Sequence, residues 1–289
     1  MALKASGSNP LRNTETHKCL SAETMNSKFT KVVSNTINIA VSLALVFILS
    51  GCVTTQRGGF DKADSPQEAI EMRVAAAKQY LRGRDFESAR RHLKSAMELD
   101  AKSPDVHEAL GLTFQYSGEI ELAEKHYKLA INYGNGQSKY RISFSSFLYQ
   151  AQRFEDAEEQ LEKIVDDSLY EQREAALVLL GLSQQQLLKT DKAQRSFERA
   201  LVLNPRNTRV LRELSIMNYE AKKFPVAWSH FQSYRKVVVR PDAELLLLGI
   251  ELAREVGDTD SEASFILALK NLYPNSREYQ SFSRREQYE

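Results

Sequence analysis

The sequence predicts an all-α protein, a right-handed α-solenoid of about six helix–turn–helix repeats that fills residues 67–282. Two observations predict it. The chain of 289 residues has only 7 Pro and 12 Gly, and it is rich in Ala, Leu, Glu, Gln, Lys and Arg, which favour helix. Small and large apolar residues also recur together at a spacing of about 34 residues, and such a fixed period is typical of stacked repeats.

A targeting segment precedes the predicted repeats. Two lysines come before an apolar run over residues 37–49, and small residues close it. A secretory signal peptide has the same order: a basic region, an apolar region and then small residues. The apolar run is shorter than a bilayer span, which needs about 20 residues. The Leu-Ser-Gly-Cys ending at 49–52 resembles the bacterial lipobox, where cleavage precedes a lipid-bearing Cys. We interpret 25–51 as a lipoprotein signal peptide and Cys52 as the lipidated residue; the alternative is a signal anchor.

The residues around this segment complete the N-terminal part. Translation from Met25 gives the signal peptide an ordinary length, so residues 1–24 are interpreted as an over-extended N-terminus. Residues 52–66 comprise the lipidated Cys and a flexible tether, because the stretch after the Cys has no apolar period. Ser65-Pro66 predicts the start of the first helix, with Ser as the N-cap.

Alanine marks the same position in successive repeats. The spacings between the first five alanines are 34, 34, 36 and 34 residues, a sixth unit follows after 36 more, and a large apolar residue sits four positions after each. The pairs are Ala89 and Leu93, Ala123 and Tyr127, Ala157 and Leu161, Ala193 and Phe197, Ala227 and Phe231, and Ala263 and Leu267. This is the tetratricopeptide pattern, a helix–turn–helix of 34 residues with a first helix A and a second helix B. Residues 283–289 are interpreted as a C-terminal tail.

Small residues are also predicted where helix A meets helix B. Leu110-Gly111, Leu180-Gly181 and Leu214-Ser215 occupy the helix A position at which a small residue lets two helices approach. We expect helix B to press on helix A at each of the alanines, so that a bulky replacement would overpack the contact.

The residues carry no pattern of catalysis or metal binding. The chain has five histidines; none has a second ligand at metal spacing, and His92 and His126 are interpreted as parts of solvated helix faces. There is no Gly-rich phosphate loop and no Ser-His-Asp pattern in the sequence. We predict no catalytic residue, no metal, no cofactor other than the lipid on Cys52 and no small-molecule substrate. A net charge of about −2 after cleavage argues against nucleic acid as a partner.

The concave face is the predicted binding surface. Helix A lines the concave face in this motif, and its exposed positions in repeats two to five are apolar and weakly charged. We expect an apolar or amphipathic segment of a partner there; the alternative is that about half of these residues only contact neighbouring helices. The predicted groove residues are Leu112, Tyr116, Ile142, Tyr149, Val178, Leu182, Ile216 and Tyr219.

The lipobox, the tether and the repeats together resemble the type IV pilus biogenesis and stability lipoproteins, the PilF/PilW family of pilotins. The resemblance extends over residues 52–282 and is most specific in "FLYQAQRFEDAE" (147–158), "DAELLLLGIELAREVGD" (242–258) and "LYPNSREYQSF" (272–282). The last stretch matches the family's Pro-x-Ser-x-Glu-Tyr ending.

This chain departs from the family at two places. An Asn pair common in the family's third repeat is replaced by Ile142-Ser143, and Tyr149 stands where the family often has Cys. Ser183 stands where the fourth repeat of the family often has Cys, so both partners of the inter-repeat disulfide that the resemblance implies are absent together.

The resemblance implies an outer-membrane adaptor that is anchored by lipid and faces the periplasm. It would bind secretin subunits of the pilus machine, promote their outer-membrane localisation and multimerisation, and so support type IV pilus biogenesis and twitching motility. Val53 after the lipidated Cys fits outer-membrane sorting, since an Asp there would resemble an inner-membrane retention signal. The alternative is a scaffold of another envelope machine, for outer-membrane protein insertion or cell-wall synthesis.

Overall fold

The structure, a computed structural model, describes residues 65–287. The predicted signal peptide, Cys52 and the tether up to residue 64 lie outside the described residues. Within 65–287 the chain forms thirteen α-helices and no strand. They are α1 (Pro66–Arg82), α2 (Phe86–Met97), α3 (Pro104–Ser117), α4 (Ile120–Tyr133), α5 (Ser138–Gln150), α6 (Phe154–Val165), α7 (Arg173–Gln186), α8 (Thr190–Leu203), α9 (Thr208–Glu220), α10 (Phe224–Val237), α11 (Ala243–Val256), α12 (Thr259–Leu272) and α13 (Arg277–Glu286).

The helices stack as repeats along the chain. Each odd-numbered helix from α1 to α11 packs on the even-numbered helix that follows it, which makes six helix A and helix B pairs. Neighbouring A helices also contact one another, as α1 does α3 and α9 does α11. This confirms the predicted α-solenoid of six tetratricopeptide repeats. None of the helices in the described part is both long and apolar enough to cross a bilayer.

The start of the array agrees with the prediction, and its end does not. Ser65 accepts a hydrogen bond from the backbone N–H of Glu68 at 3.1 Å, which confirms it as the N-cap of α1. At the other end α13 continues to Glu286, so the residues predicted as a tail begin inside a helix. Ser276 caps this helix through the N–H of Tyr279, and Phe282 is buried against the sixth repeat. Helix α13 therefore caps the array, and its Ser-x-x-Tyr start explains part of the family-like ending.

The predicted alanines of the first five repeats are in the core. Ala89, Ala123, Ala157, Ala193 and Ala227 are all fully buried. The size of the small residue in helix A is equally constrained. A Cβ built on Gly181 would lie 2.5 Å from the Phe197 ring, so there is no room for a side chain at this position. The aromatic side chain of helix B thus packs directly on the backbone of helix A.

The sixth repeat does not follow the predicted register. Ala263 and Leu267, expected in the core, are exposed, whereas Phe265 and Leu269 are buried. The reason is Gly249 of α11, which leaves space for two rings: a Cβ there would lie 2.5 Å from Phe231 and 3.2 Å from Phe265. Burying an aromatic ring stabilises the fold more than burying a methyl group, so α12 turns Phe265 inward instead of Ala263.

Candidate functional site

The candidate site is the helix A face, defined as the solvent-facing side of α1, α3, α5, α7 and α9. Of the predicted groove residues, Tyr116 is the exposed one at 56 %, whereas Leu182 is only 6 % exposed and belongs to the core. The expectation that Leu182 faces solvent is therefore wrong. Six others are half-buried and pack against the core: Leu112, Ile142, Tyr149, Val178, Ile216 and Tyr219. Their packing on neighbouring helices agrees with the alternative interpretation, and a role in binding a partner stays a prediction.

A cleft of about 460 Å³ opens at the first two repeats, and we call it the proximal cleft. Its lining is Lys78, Leu81, Arg82, Arg84, Phe86, Leu112 and Tyr116. Arg82 and Arg84 have no ion-pair partner within residues 65–287, while Lys78 is paired with Glu108 at 3.1 Å. Three cations surround an apolar floor that contains no carboxylate. This combination fits a segment that presents a large apolar side chain next to a carboxylate.

A second cleft of about 460 Å³ lies on repeats three to five, and we call it the central cleft. Its lining is Tyr149, Leu182, Gln185, Gln186, Leu188, Thr190, Arg209, Glu213, Met217 and Glu220. Leu182 and Met217 form a buried apolar floor. Two glutamates and one arginine give this lining the opposite charge balance to that of the proximal cleft.

Hydrogen bonds between successive A helices hold the face together. Glu108 accepts from Lys78 and from Ser143, and Gln115 donates to Gln150 across 2.9 Å. Further along, Tyr219 donates its hydroxyl proton to Glu251 over 2.7 Å. Burial and this carboxylate raise the pKa of Tyr219 to about 12, so it stays a donor. The sequence prediction missed this ladder, although complementary polar residues about one repeat apart were a signal that could have found it.

A buried carboxylate joins the third and fourth repeats. Glu158 is 5 % exposed and accepts hydrogen bonds from Gln184, Lys189 and Lys192. Burial alone would raise its pKa, but the bonds from Lys189 and Gln184 outweigh burial and hold the pKa below its ordinary value. All three partners belong to the fourth repeat, so these hydrogen bonds link Glu158 of the third repeat to the fourth.

Two histidines, His107 and His126, are packed together inside the second repeat, contrary to the interpretation of His126 as part of a solvated face. Nδ1 of His107 lies 2.9 Å from Nδ1 of His126, and Nε2 of His107 lies 3.1 Å from the carbonyl oxygen of Ala101. A carbonyl only accepts, so His107 carries its proton on Nε2 and accepts from His126 through Nδ1. Burial, with the charge of His107 next, lowers the pKa of His126 to about 4, which keeps this pair neutral at pH 7. Within the described residues no three His, Cys, Asp or Glu side chains gather as metal ligands.

Fold and face together define a class of protein: a tetratricopeptide solenoid whose clefts can take segments of other proteins. The tetratricopeptide repeat model matches residues 178–237. The type IV pilus assembly protein PilF of Pseudomonas aeruginosa is 33 % identical over 249 residues, which cover 84 % of this chain and 98 % of that protein. The chain therefore belongs to the PilF family of type IV pilus assembly proteins.

Solved structures agree with this assignment. The structure of Pseudomonas aeruginosa PilF superposes with a TM-score of 0.69 at 32 % identity, over 76 % of this chain and 99 % of that one. PilW, described as a widely conserved type IV pilus biogenesis factor, superposes with a TM-score of 0.61 at 20 % identity, over 74 % and 97 % of the two chains. At that identity the second likeness concerns the fold alone.

Proposed function

We propose that this protein is a lipid-anchored adaptor of the type IV pilus machine. It is attached to the outer membrane through Cys52, faces the periplasm and binds secretin subunits through the helix A face. By holding the subunits at that membrane it promotes their localisation and multimerisation, and so supports pilus biogenesis and twitching motility. Membership of the PilF family supports the pilus assignment, and the lipobox-like ending at Cys52 supports the anchor.

The proximal cleft is the observation that carries the binding role. Tyr116 is more than half exposed at its rim although it is a large aromatic residue, and aromatic residues with adjacent arginines are enriched where interfaces derive their binding energy. Within residues 65–287, Arg82 and Arg84 have no ion-pair partner that would compete with a carboxylate of an incoming segment. We expect the secretin to supply an apolar side chain with a neighbouring acidic group at this cleft.

Replacing Tyr116 with Asp is expected to abolish secretin binding while leaving the fold intact. The new carboxylate would pair with the cations of the cleft and remove its aromatic contact, whereas an exposed substitution changes the free energy of unfolding by only about 0.5 kcal/mol. The measurement is co-purification of the secretin with the full-length protein from membranes, together with a melting curve. The matched control is Leu122→Asp, at a 40 % exposed residue of α4 that lines neither cleft. Normal secretin recovery with Tyr116→Asp would move the binding surface elsewhere.

Replacing Cys52 with Ala is expected to release the protein from membranes. Without the thiol no acyl chain can be attached, and each CH₂ of such a chain contributes about 0.8 kcal/mol to membrane binding. Labelling with radioactive palmitate and sucrose-gradient fractionation measure the two effects. Retained palmitate label in the variant would contradict the role of Cys52, and co-migration of the native protein with inner-membrane markers would contradict the outer-membrane location.

A further inference from the structure

Helix α12 has a second apolar side, which faces solvent. Phe265 and Leu269 face the core, whereas Ala263 and Leu267 lie on the opposite side and are exposed, Leu267 at 59 %. The capping helix α13 packs on α11 and leaves this side open. A helix that is apolar on two opposite sides normally packs on both of them.

A charge of opposite sign stands at each end of this apolar side. Asp260 lies in the first turn of α12 and Lys270 in its last turn, and both are exposed. Neither forms an ion pair within residues 65–287. Residues 260, 263, 267 and 270 are separated by three, four and three positions, so they lie along one side of the helix. We call these four residues the α12 stripe.

Two cations of α10 border Asp260 from another direction. Arg235 and Lys236 line a cleft of about 440 Å³ together with Asp260 and Phe265. Arg235 already covers the Phe265 ring at 5.3 Å. Because this cleft contains Phe265, it lies towards the packed side of α12, and a group that approaches the stripe from outside meets Asp260 first.

The α12 stripe is complementary to itself when two copies run antiparallel. Its midpoint is level with position 265. Ala263 and Leu267 lie about 3 Å on either side of that level, and Asp260 and Lys270 about 7.5 Å, at 1.5 Å per residue. Turning a second copy by 180° about the midpoint therefore sets Leu267 of each copy against Ala263 of the other, and Asp260 against Lys270. Such reciprocal contacts are the geometry of a two-fold homodimer.

We propose that the α12 stripe is a homodimer surface, on which a second copy of this chain packs antiparallel, helix to helix. Two Leu267–Ala263 contacts form its centre, where the small side chain lets the helices approach, and two Asp260–Lys270 ion pairs form its ends. A single helix pair is a small interface, so the affinity in free solution is low. Attachment of both copies to one membrane raises their effective concentration. The surface belongs to helix B, so pairing does not compete with a partner on the helix A face.

Exchange of the two charges tests this geometry. Full-length protein is extracted from membranes, labelled at its C-terminus with a donor or an acceptor dye, and reconstituted in liposomes at a fixed density. Energy transfer then measures association. Asp260→Lys and Lys270→Asp are each expected to self-associate at least about fivefold more weakly than the native protein, because both ion pairs become like-charge contacts. Donor-labelled Asp260→Lys mixed with acceptor-labelled Lys270→Asp should associate as the native protein does, since opposite charges face each other again at both ends.

Asp191→Lys is the matched control. Asp191 is the exposed second residue of α8, which begins with Thr-Asp as α12 does, and the same change there should leave energy transfer at the native value. The melting temperature of all three variants should stay at the native value, because the changed residues are exposed.

Native protein without energy transfer above that of an equal mixture diluted with unlabelled copies would overturn the proposal. So would single variants that associate like the native protein, or a mixed pair that fails to recover. The liposomes contain no secretin, so the outcome is independent of whether the helix A face binds one.

Discussion

Replacing Leu182 with Glu is expected to lower the free energy of unfolding by at least about 3–5 kcal/mol. Removing a buried leucine side chain costs about 2–5 kcal/mol, and a buried carboxylate without a partner adds several more unless it takes up a proton. Leu182 is 6 % exposed in the middle of α7, and it belongs to the core cluster shared by repeats two to five. The side chain thus supports the floor of the central cleft from inside the fold.

The measurement is denaturant-induced unfolding followed by helical circular dichroism, with Gln186→Glu as the control. Gln186 is exposed one turn further along α7 and lines the same cleft, so the same new charge there should change the free energy of unfolding by only about 0.5 kcal/mol. If Leu182→Glu unfolds at the native midpoint, Leu182 faces solvent and the central cleft is deeper than its lining indicates. A large loss with Leu182→Glu also means that this variant cannot serve to test partner binding.

The array could be predicted well from the sequence because the same pattern of small and large apolar residues occurs in several repeats. Five alanines at nearly constant spacing fixed the position of helix B, and each of them is buried as expected. Ser65 and Pro66 carried a local signal for the first helix, and the hydrogen bond from Glu68 confirms it. Such features depend on residues a few positions apart or on a period, and both are visible in a single chain.

The details of the helix A face were harder to predict, since exposure depends on contacts between repeats. The period alone places Leu182 and Tyr116 on the same face, yet Leu182 is 6 % exposed within the core and Tyr116 is 56 % exposed. The ladder that includes Gln115 and Gln150 also escaped prediction, because each residue alone is an ordinary surface amide.

The sixth repeat shows how packing decides between two registers that the sequence allows. The alanine period favoured Ala263 and Leu267 for the core, whereas the structure buries Phe265 and Leu269. The Phe265 ring stands edge-on to Phe231, with 5.5 Å between the centroids, and Trp228 approaches it in the same manner at 6.3 Å. The guanidinium of Arg235 covers it at 5.3 Å. Aromatic pairs of this geometry contribute about 0.5–1.5 kcal/mol beyond area burial, which favours the register with Phe265 inside.

Replacing Phe265 with Ala is therefore expected to cost about 3–5 kcal/mol, the usual range for a buried phenylalanine. Leu267→Ala, two positions away on the same helix, should cost only about 0.5 kcal/mol because that side chain is 59 % exposed. Denaturant unfolding of the two variants measures both changes, and hydrogen exchange of α11 to α13 shows whether the loss is confined to the end of the array. The alanine period predicts the reverse order of the two variants. A larger loss with Leu267→Ala would thus restore the period-based register, whereas the expected order means that the glycine of α11 and the rings around it set how the last repeat packs.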